Sequence, residues 1–158
     1  MVLDVVIEGY NERFHSSYSR FSLFRREILR GWNVELGELW ELKDELFYNE
    51  RQCEECIRKK GITYTEFQEM VLEQIIKILN EYDKPYNEGM KIFANHSDAD
   101  GEITPNECVL VLKSFERVDP NKFDDSSIYD NMWYRDSYKM WIKMLTYAIE
   151  NNKDITFG

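Results

Sequence analysis

Residues 63–79, TYTEFQEMVLEQIIKIL, carry the clearest secondary-structure signal in the chain. Apolar side chains recur there three and four residues apart, which is the spacing of one face of an α-helix. Thr63 stands three residues before Glu66, the spacing of a capping box, and Thr65 is a second candidate for the cap. The stretch therefore predicts an amphipathic helix with one buried face. Its apolar stripe includes Phe67, Met70, Val71, Ile75, Ile78, Leu79 and Tyr82.

The same spacing extends the helical prediction toward the N-terminus. Phe14, Phe21 and Ile28 belong to a stripe that predicts a first helix near residues 12–30, with Gly31 as its end. A strongly acidic second helix, or pair of helices, is predicted to follow to about residue 60, where Gly61 interrupts the pattern. The predicted second segment carries most of the Glu residues in this half of the chain.

Further helices are predicted toward the C-terminus. Residues 83–87 form a turn or a helix restart, with a short helix after them. Another helix begins at Pro105 and ends at Asp119-Pro120, and the last follows a polar loop through Ser127. The apolar stretches at 2–7 and 154–158 are candidates for a small β-ribbon between the two ends. We therefore predict a mainly α fold, a single-domain helical bundle over residues 1–158 with room for a small terminal β-ribbon.

Composition restricts the classes of function. The chain has 158 residues, 43% of them hydrophobic, which is enough for one packed core without disulfides. Its 30 acidic and 20 basic residues give a net charge of −10, which disfavours binding to nucleic acid or anionic lipid. No apolar run approaches the roughly 20 residues of a membrane span, and no signal peptide is apparent, so we expect a cytoplasmic protein. The cysteines are three, an odd number, and are expected to be reduced.

One loop has the spacing of a cation site. Residues 96–107, HSDADGEITPNE, can be aligned with the EF-hand loop, in which Gly at position 6 makes the turn and oxygen ligands stand at defined positions. This alignment predicts an EF-hand-like helix-loop-helix that binds Ca²⁺ or another divalent cation. The predicted metal ligands are His96, Asp98, Asp100, the Glu102 carbonyl and Glu107.

Two features weaken the cation hypothesis. His96 stands where the pattern has Asp, and imidazole nitrogen is a poor ligand for calcium; no second EF-hand loop is found. Thr104, Pro105 and Glu107 also form a good helix start by themselves, so a purely structural loop is the alternative. The two interpretations are compatible, because an EF-hand loop also ends by starting its helix. Four acids and no Lys or Arg lie between Asn95 and Glu107, which favours a cation.

The loop resembles a known signature. His96-Ser97-Asp98-Ala99-Asp100-Gly101 looks like the His-Ser-Asp-x-(Asp/Glu)-Gly motif of a family of small, uncharacterised bacterial and phage proteins. The segments Ser17-Tyr18-Ser19-Arg20-Phe21 and Phe24-Arg25 resemble the Ser-Tyr-Ser-x-Phe and aromatic-Arg segments of the same family. Members often have Cys where this chain has Ala99. The resemblance implies a lineage without an established activity, and it implies that His96 belongs to the motif.

Two other clusters have both functional and structural interpretations. Arg20, Arg25, Arg26 and Arg30 can hold a phosphate or a carboxylate-rich partner, or they can pair with the acidic second helix, which is the favoured interpretation. That helix carries Glu35, Glu38, Glu41, Asp44 and Glu45. The Cys53-Glu54-Glu55-Cys56 motif has no second pair to complete a zinc site.

These observations predict a small acidic cytosolic protein with a binding or regulatory role rather than an enzyme. The first hypothesis is a divalent-cation protein that uses the 96–107 loop. The second is a protein-protein interaction module, such as an immunity factor or a phage inhibitor of a host system, whose loop is only structural. The third is a metal-dependent hydrolase that uses the same loop. The second hypothesis implies a protein partner, and neither nucleic acid nor a membrane is expected as a partner.

Overall fold

The computed structural model describes residues 2–48, 58, 61–97 and 99–158, and its elements are mainly helical, as predicted. The helices are α1 (Tyr18–Trp32), α2 (Val34–Tyr48), α3 (Tyr64–Leu79), α4 (Lys84–Asn95), α5 (Pro105–Glu116) and α6 (Ile128–Asn151). The strands are β1 (Val2–Val6), β2 (Phe14–Ser17), β3 (Glu102–Ile103) and β4 (Ile155–Phe157), and a 3₁₀ turn covers Pro120–Lys122.

The strands form one antiparallel sheet in the order β2-β1-β4-β3. The predicted terminal ribbon is present, because β1 pairs with β4 through Val5↔Phe157 and Val6↔Thr156. The sheet is larger than predicted, since β2 and β3 extend it on both sides. Leu3 and Val5 of β1 are buried, so one face of the sheet packs on the core.

The predicted first helix begins too early and ends too soon. Phe14 and Ser16 are buried while His15 and Ser17 are exposed, and this alternation belongs to strand β2. Helix α1 begins only after Ser17, whose hydroxyl accepts a hydrogen bond from the Arg20 N–H. Pairing with β1 therefore outweighed the helical spacing of Phe14.

Gly31 lies inside α1 rather than at its end. The helix continues to Trp32, and the Gly31 carbonyl accepts a hydrogen bond from the Asp119 N–H at 2.9 Å. A Cβ at position 31 would overlap the side chain of Val118. Gly31 thus permits the segment after α5 to approach the backbone of α1 closely.

The predicted starts of α3, α5 and α6 are confirmed, and α4 begins at Lys84, which agrees with a helix restart rather than a turn at 83–87. Thr63 forms a capping box with Glu66 at the start of α3, Thr104 forms one with Glu107 at the start of α5, and Ser127 caps α6. The acidic segment is predicted to run beyond Tyr48 to about residue 60. Of that part only Arg58 belongs to the described residues, so Cys53 and Cys56 lie outside them.

Aromatic rings fill the centre of the core. The Phe93 ring meets Phe115 edge-on at 4.9 Å and Trp141 at 5.2 Å between ring centroids, so α4, α5 and α6 share one contact. A Cβ at Gly89 would overlap the Leu110 carbonyl, so the α4 and α5 backbones approach closely. This packing fixes the two helices that hold the 96–107 loop.

Within the described ranges, the structure contains no helix with the length and apolar character of a membrane span.

Candidate functional site

The 96–107 loop connects α4 to α5 and joins the sheet. Helix α4 ends at Asn95, and Gly101 has a φ of +91°, the left-handed conformation that the EF-hand alignment requires at position 6. The Gly101 carbonyl accepts a hydrogen bond from the Phe157 N–H at 2.9 Å. Ile103 pairs with Ile155, so strand β4 holds the second half of the loop.

The His96 side chain lies across the loop rather than pointing into solvent. Its Nδ1 is 2.6 Å from the Ser97 carbonyl oxygen and its Nε2 is 3.1 Å from the Glu102 carbonyl oxygen. A neutral imidazole carries one N–H and can donate to only one of these carbonyls, whereas an imidazolium can donate to both. The ring also lies against the Phe157 ring, with 4.1 Å between the centroids. The His96 ring thus contacts the Glu102 carbonyl, which the EF-hand alignment predicts as a metal ligand.

Arg25 of α1 contacts the first residue of the loop. Its guanidinium donates a hydrogen bond to the His96 carbonyl and lies 4.4 Å from the centroid of the Phe21 ring. The two segments that carry the family resemblance, around Arg25 and around His96, therefore meet in space.

The other predicted ligands are bonded within the loop. Asp100 Oδ1 accepts a hydrogen bond from the Ser97 hydroxyl at 2.8 Å. Glu107 Oε1 accepts from the Thr104 N–H at 3.1 Å and from its hydroxyl at 2.9 Å, which completes the helix cap. Asp98 lies outside the described residues. In the part of the chain that the structure describes, no group of three or more His, Cys, Asp or Glu side chains has the arrangement of a metal site. The cation site stays a prediction.

Cys108 lies directly behind the loop and is fully buried. Burial, with smaller contributions from the charges of Glu107 and Asp154, raises the pKa of its thiol to about 12. The side chain is therefore a protonated thiol at neutral pH, and its sulfur lies 3.8 Å from the Ile103 carbonyl oxygen. This environment fits the prediction that the cysteine acts as a small apolar residue.

The four arginines of α1 have different surroundings. Arg26 pairs with Glu41 of α2 at 3.2 Å, which is the contact predicted between these helices. Arg30 Nε donates to the Lys122 carbonyl at 2.9 Å, and Arg20 lies 4.2 Å from the centroid of a Trp133 ring. Arg25 holds the loop. Among these described contacts, the acidic second helix thus accounts for Arg26.

Sequence reasoning missed a buried carboxylate. Glu27 is fully buried; its Oε1 accepts hydrogen bonds from Arg26 at 2.9 and 3.0 Å, and its Oε2 accepts from the Asp124 N–H at 2.8 Å. Burial acts to lower the pKa of Arg26, but the charge and hydrogen bonds of Glu27 outweigh it, so the pKa is raised. No local sequence pattern reveals this contact, because the two segments are far apart in the chain.

The start of α6 is a second feature that spacing did not single out. Ile128, Tyr129 and Met132 are 76%, 85% and 57% exposed, which is unusual for three large apolar side chains within five residues. Their signal in the sequence was an apolar pair directly after a helix cap. We call these three residues the α6 patch.

Comparisons of the chain with protein-family models, with curated proteins and with solved structures give no match. The resemblance to the His-Ser-Asp-x-(Asp/Glu)-Gly family stays a prediction.

Proposed function

We propose that the protein is a small acidic binding protein that acts by contacting a protein partner, as an immunity factor or an inhibitor does. The observation that carries the proposal is the bonding of the 96–107 loop. Its most reactive side chain, His96, faces two backbone carbonyls, and its carboxylates Asp100 and Glu107 accept hydrogen bonds from neighbouring residues. Groups bonded in this way maintain a shape, which supports a structural role for the loop.

The charge of the molecule supports a partner of opposite sign. A net charge of −10 on 158 residues steers a basic protein toward the surface and repels nucleic acid. Both roles named here, immunity factor and inhibitor, depend on such contact rather than on turnover.

Chemical cross-linking in the cell that expresses the protein tests the proposal. We expect the full chain to be recovered with one partner protein in a fixed ratio, and the complex to weaken as salt concentration rises. The proposal is contradicted if the chain is recovered only as a monomer, with and without cross-linking, at every salt concentration. A His96→Ala variant that remains folded serves as the control, and it should retain the partner if the loop is structural.

A second candidate, divalent-cation binding at the loop, is favoured by two observations. Gly101 has the positive φ that an EF-hand loop needs, and Ile103 at position 8 lies in a short strand. Cation binding would require His96 to release the Glu102 carbonyl, so we propose weak affinity for the natural loop.

Calorimetric titration of chelator-stripped protein with Ca²⁺, Mg²⁺, Mn²⁺ and Zn²⁺ tests this candidate. His96→Asp supplies the carboxylate that position 1 of the pattern has, so we expect it to bind Ca²⁺ at least tenfold more tightly than the natural chain. Asp100→Asn in the same background should remove that gain while leaving the α5 cap intact. A His96→Asp chain that releases no heat with any cation would exclude the EF-hand interpretation.

A further inference from the structure

We infer that the α6 patch is the surface that contacts the partner, and that the partner presents an apolar face rimmed by Lys and Arg. This inference rests on the proposed function and names the surface and the chemistry of the partner. The residue types fit, because Tyr, Met and Ile supply large apolar contact area and Tyr is enriched at interface centres. Trp133, the residue after Met132, is half-buried, and the Arg20 guanidinium lies 4.2 Å from its ring centroid.

Acidic residues flank the patch along the chain. Asp125, Asp130 and Asp136 are exposed, and residues 124–136 contain four acids against the single base Arg135. The Arg135 guanidinium bonds to Asn131 Oδ1 at 2.8 Å and to Asn121 Oδ1 at 3.4 Å, so it lies against its own chain. With Arg20, which lies beside Trp133, the patch and its flanks carry four acids and two bases, so their net charge is negative and a complementary surface carries positive charge.

The patch is held in place before any partner arrives. Ser127 caps the helix, Asn131 Nδ2 donates to the Asp124 carbonyl at 3.1 Å, and the Asp124 N–H donates to buried Glu27. A surface that is fixed in advance loses little conformational entropy when it binds. The buried Glu27 contact thus ties the start of α6 to α1 and presents the patch rigidly.

The negative charge beside the patch favours one of three kinds of partner over the other two. A second copy of the chain, docked patch to patch, would bring two negative surfaces together, and like charges at an interface are unfavourable. An anionic membrane would repel the same surface. A protein with an apolar face and a basic rim matches both the Ile128 and Tyr129 side chains and the carboxylates that flank them along the chain.

A titration of the full chain with three synthetic helical peptides tests the inference. The first peptide has a Leu and Phe face rimmed by Lys and Arg, the second has the same face rimmed by Glu, and the third carries Lys without the apolar face. We expect the first to bind at least tenfold more tightly than the other two. Its changes in amide chemical shift should fall within residues 124–136.

Matched surface variants locate the binding. Ile128→Ser with Met132→Ser should weaken binding of the first peptide at least tenfold. Leu72→Ser with Ile76→Ser is the control, because these α3 side chains are also apolar and exposed, at 45% and 51%. The control should bind as the natural chain does. Thermal melts monitored by circular dichroism establish that both variants are folded.

Other outcomes overturn the inference. Equal binding of the first and third peptides, shifts outside 124–136, or no binding would do so. Concentration-dependent self-association lost in the α6 variant would assign the patch to a second copy, and binding to phosphatidylcholine vesicles lost in that variant would assign it to a membrane. If the cross-linked cellular partner is retained by the folded α6 variant, this inference fails while the proposed function stands. If the natural chain has no partner, the proposed function itself fails.

Discussion

Two clusters of hydrogen bonds each stabilise a segment that precedes a helix. They differ in how deeply they are buried and in how far apart in sequence the bonded residues lie. The His96 cluster joins neighbouring residues of the 96–107 loop at the surface, before α5. The Glu27 cluster joins α1 to residue 124, 97 positions away, and its carboxylate is fully buried, before α6. A buried charge that loses its partner cannot be rescued by water, whereas an exposed polar group can. The deep cluster should therefore tolerate far less change than the superficial one.

The largest effect is expected from Glu27→Ala. The change leaves Arg26 without its buried partner and Asp124 without an acceptor for its N–H, so the free energy of unfolding should fall by about 3–5 kcal/mol. Urea denaturation followed by circular dichroism measures the loss. Glu41→Ala is the control, because Glu41 contacts the same arginine from an exposed position and should cost roughly 0.2–1 kcal/mol. Equal losses in both variants would remove the distinction between the clusters.

His96→Ala should have an intermediate effect. It removes the ring contacts with two carbonyls and with Phe157, and we expect the free energy of unfolding to fall by about 1–2 kcal/mol. The same urea titration provides the measurement. Ser97→Ala, which removes an exposed hydroxyl from the loop, should change stability by less than about 0.5 kcal/mol. A loss at His96 as large as that at Glu27 would show that the loop is as critical as the buried cluster.

Thr104→Ala separates the cap of α5 from the rest of the loop. The variant loses the capping box with Glu107, and helix caps of this kind contribute about 1 kcal/mol. Thr63→Ala removes the same box from α3, outside the loop, and should have an equal effect. Thermal melts of the two variants, compared side by side, measure the difference. A much greater loss at Thr104 would mean that the cap also organises the loop.

The smallest effect concerns an exposed pair on the sheet. His15 Nδ1 lies 2.6 Å from Asp4 Oδ1, and this hydrogen bond, partly opposed by desolvation and aided by Arg13, lowers the pKa of Asp4 below 3.8. The ionised form of Asp4 therefore stabilises the fold above that value, and the contribution is lost as pH falls through the lowered pKa. His15→Ala should raise the Asp4 pKa, as measured by NMR titration of its carboxyl group. Arg13→Ala should raise it less, and the reverse order would contradict the assignment.

The features that sequence predicts are those with local causes. Thr63, Thr104 and Ser127 cap helices within three residues of themselves, and the conformation of Gly101 follows from the spacing of one loop. The sequence predicts helix over the residues of strand β2, because the spacing of Phe14 fits a helical stripe. Only pairing with β1 makes these residues a strand. Strand β3 has no local signal, because its two residues form a strand only by pairing with Ile155 and Thr156 of β4.

The candidate site also combines features that the sequence predicts with contacts that depend on tertiary packing. The position of His96 in the motif was visible in the sequence, but its contact with the Glu102 carbonyl depends on how the loop closes. The Arg25 contact with the loop and the Glu27 contact with residue 124 depend on tertiary packing, which no spacing along one helix reports. Charge patterning correctly paired Arg26 with the acidic helix but could not distribute the other three arginines.

Strand β4 has a consequence for the order of folding. Its three residues pair with β1 on one side and with β3 on the other, so both halves of the sheet are joined through Ile155, Thr156 and Phe157. Contacts between such distant parts of a chain form slowly, because a long loop must close before they are made. During synthesis, the β1-β2 hairpin and the α4-α5 pair are complete before β4 emerges. The 96–107 loop should therefore acquire its strand pairing only after residues 155–157 have been synthesised.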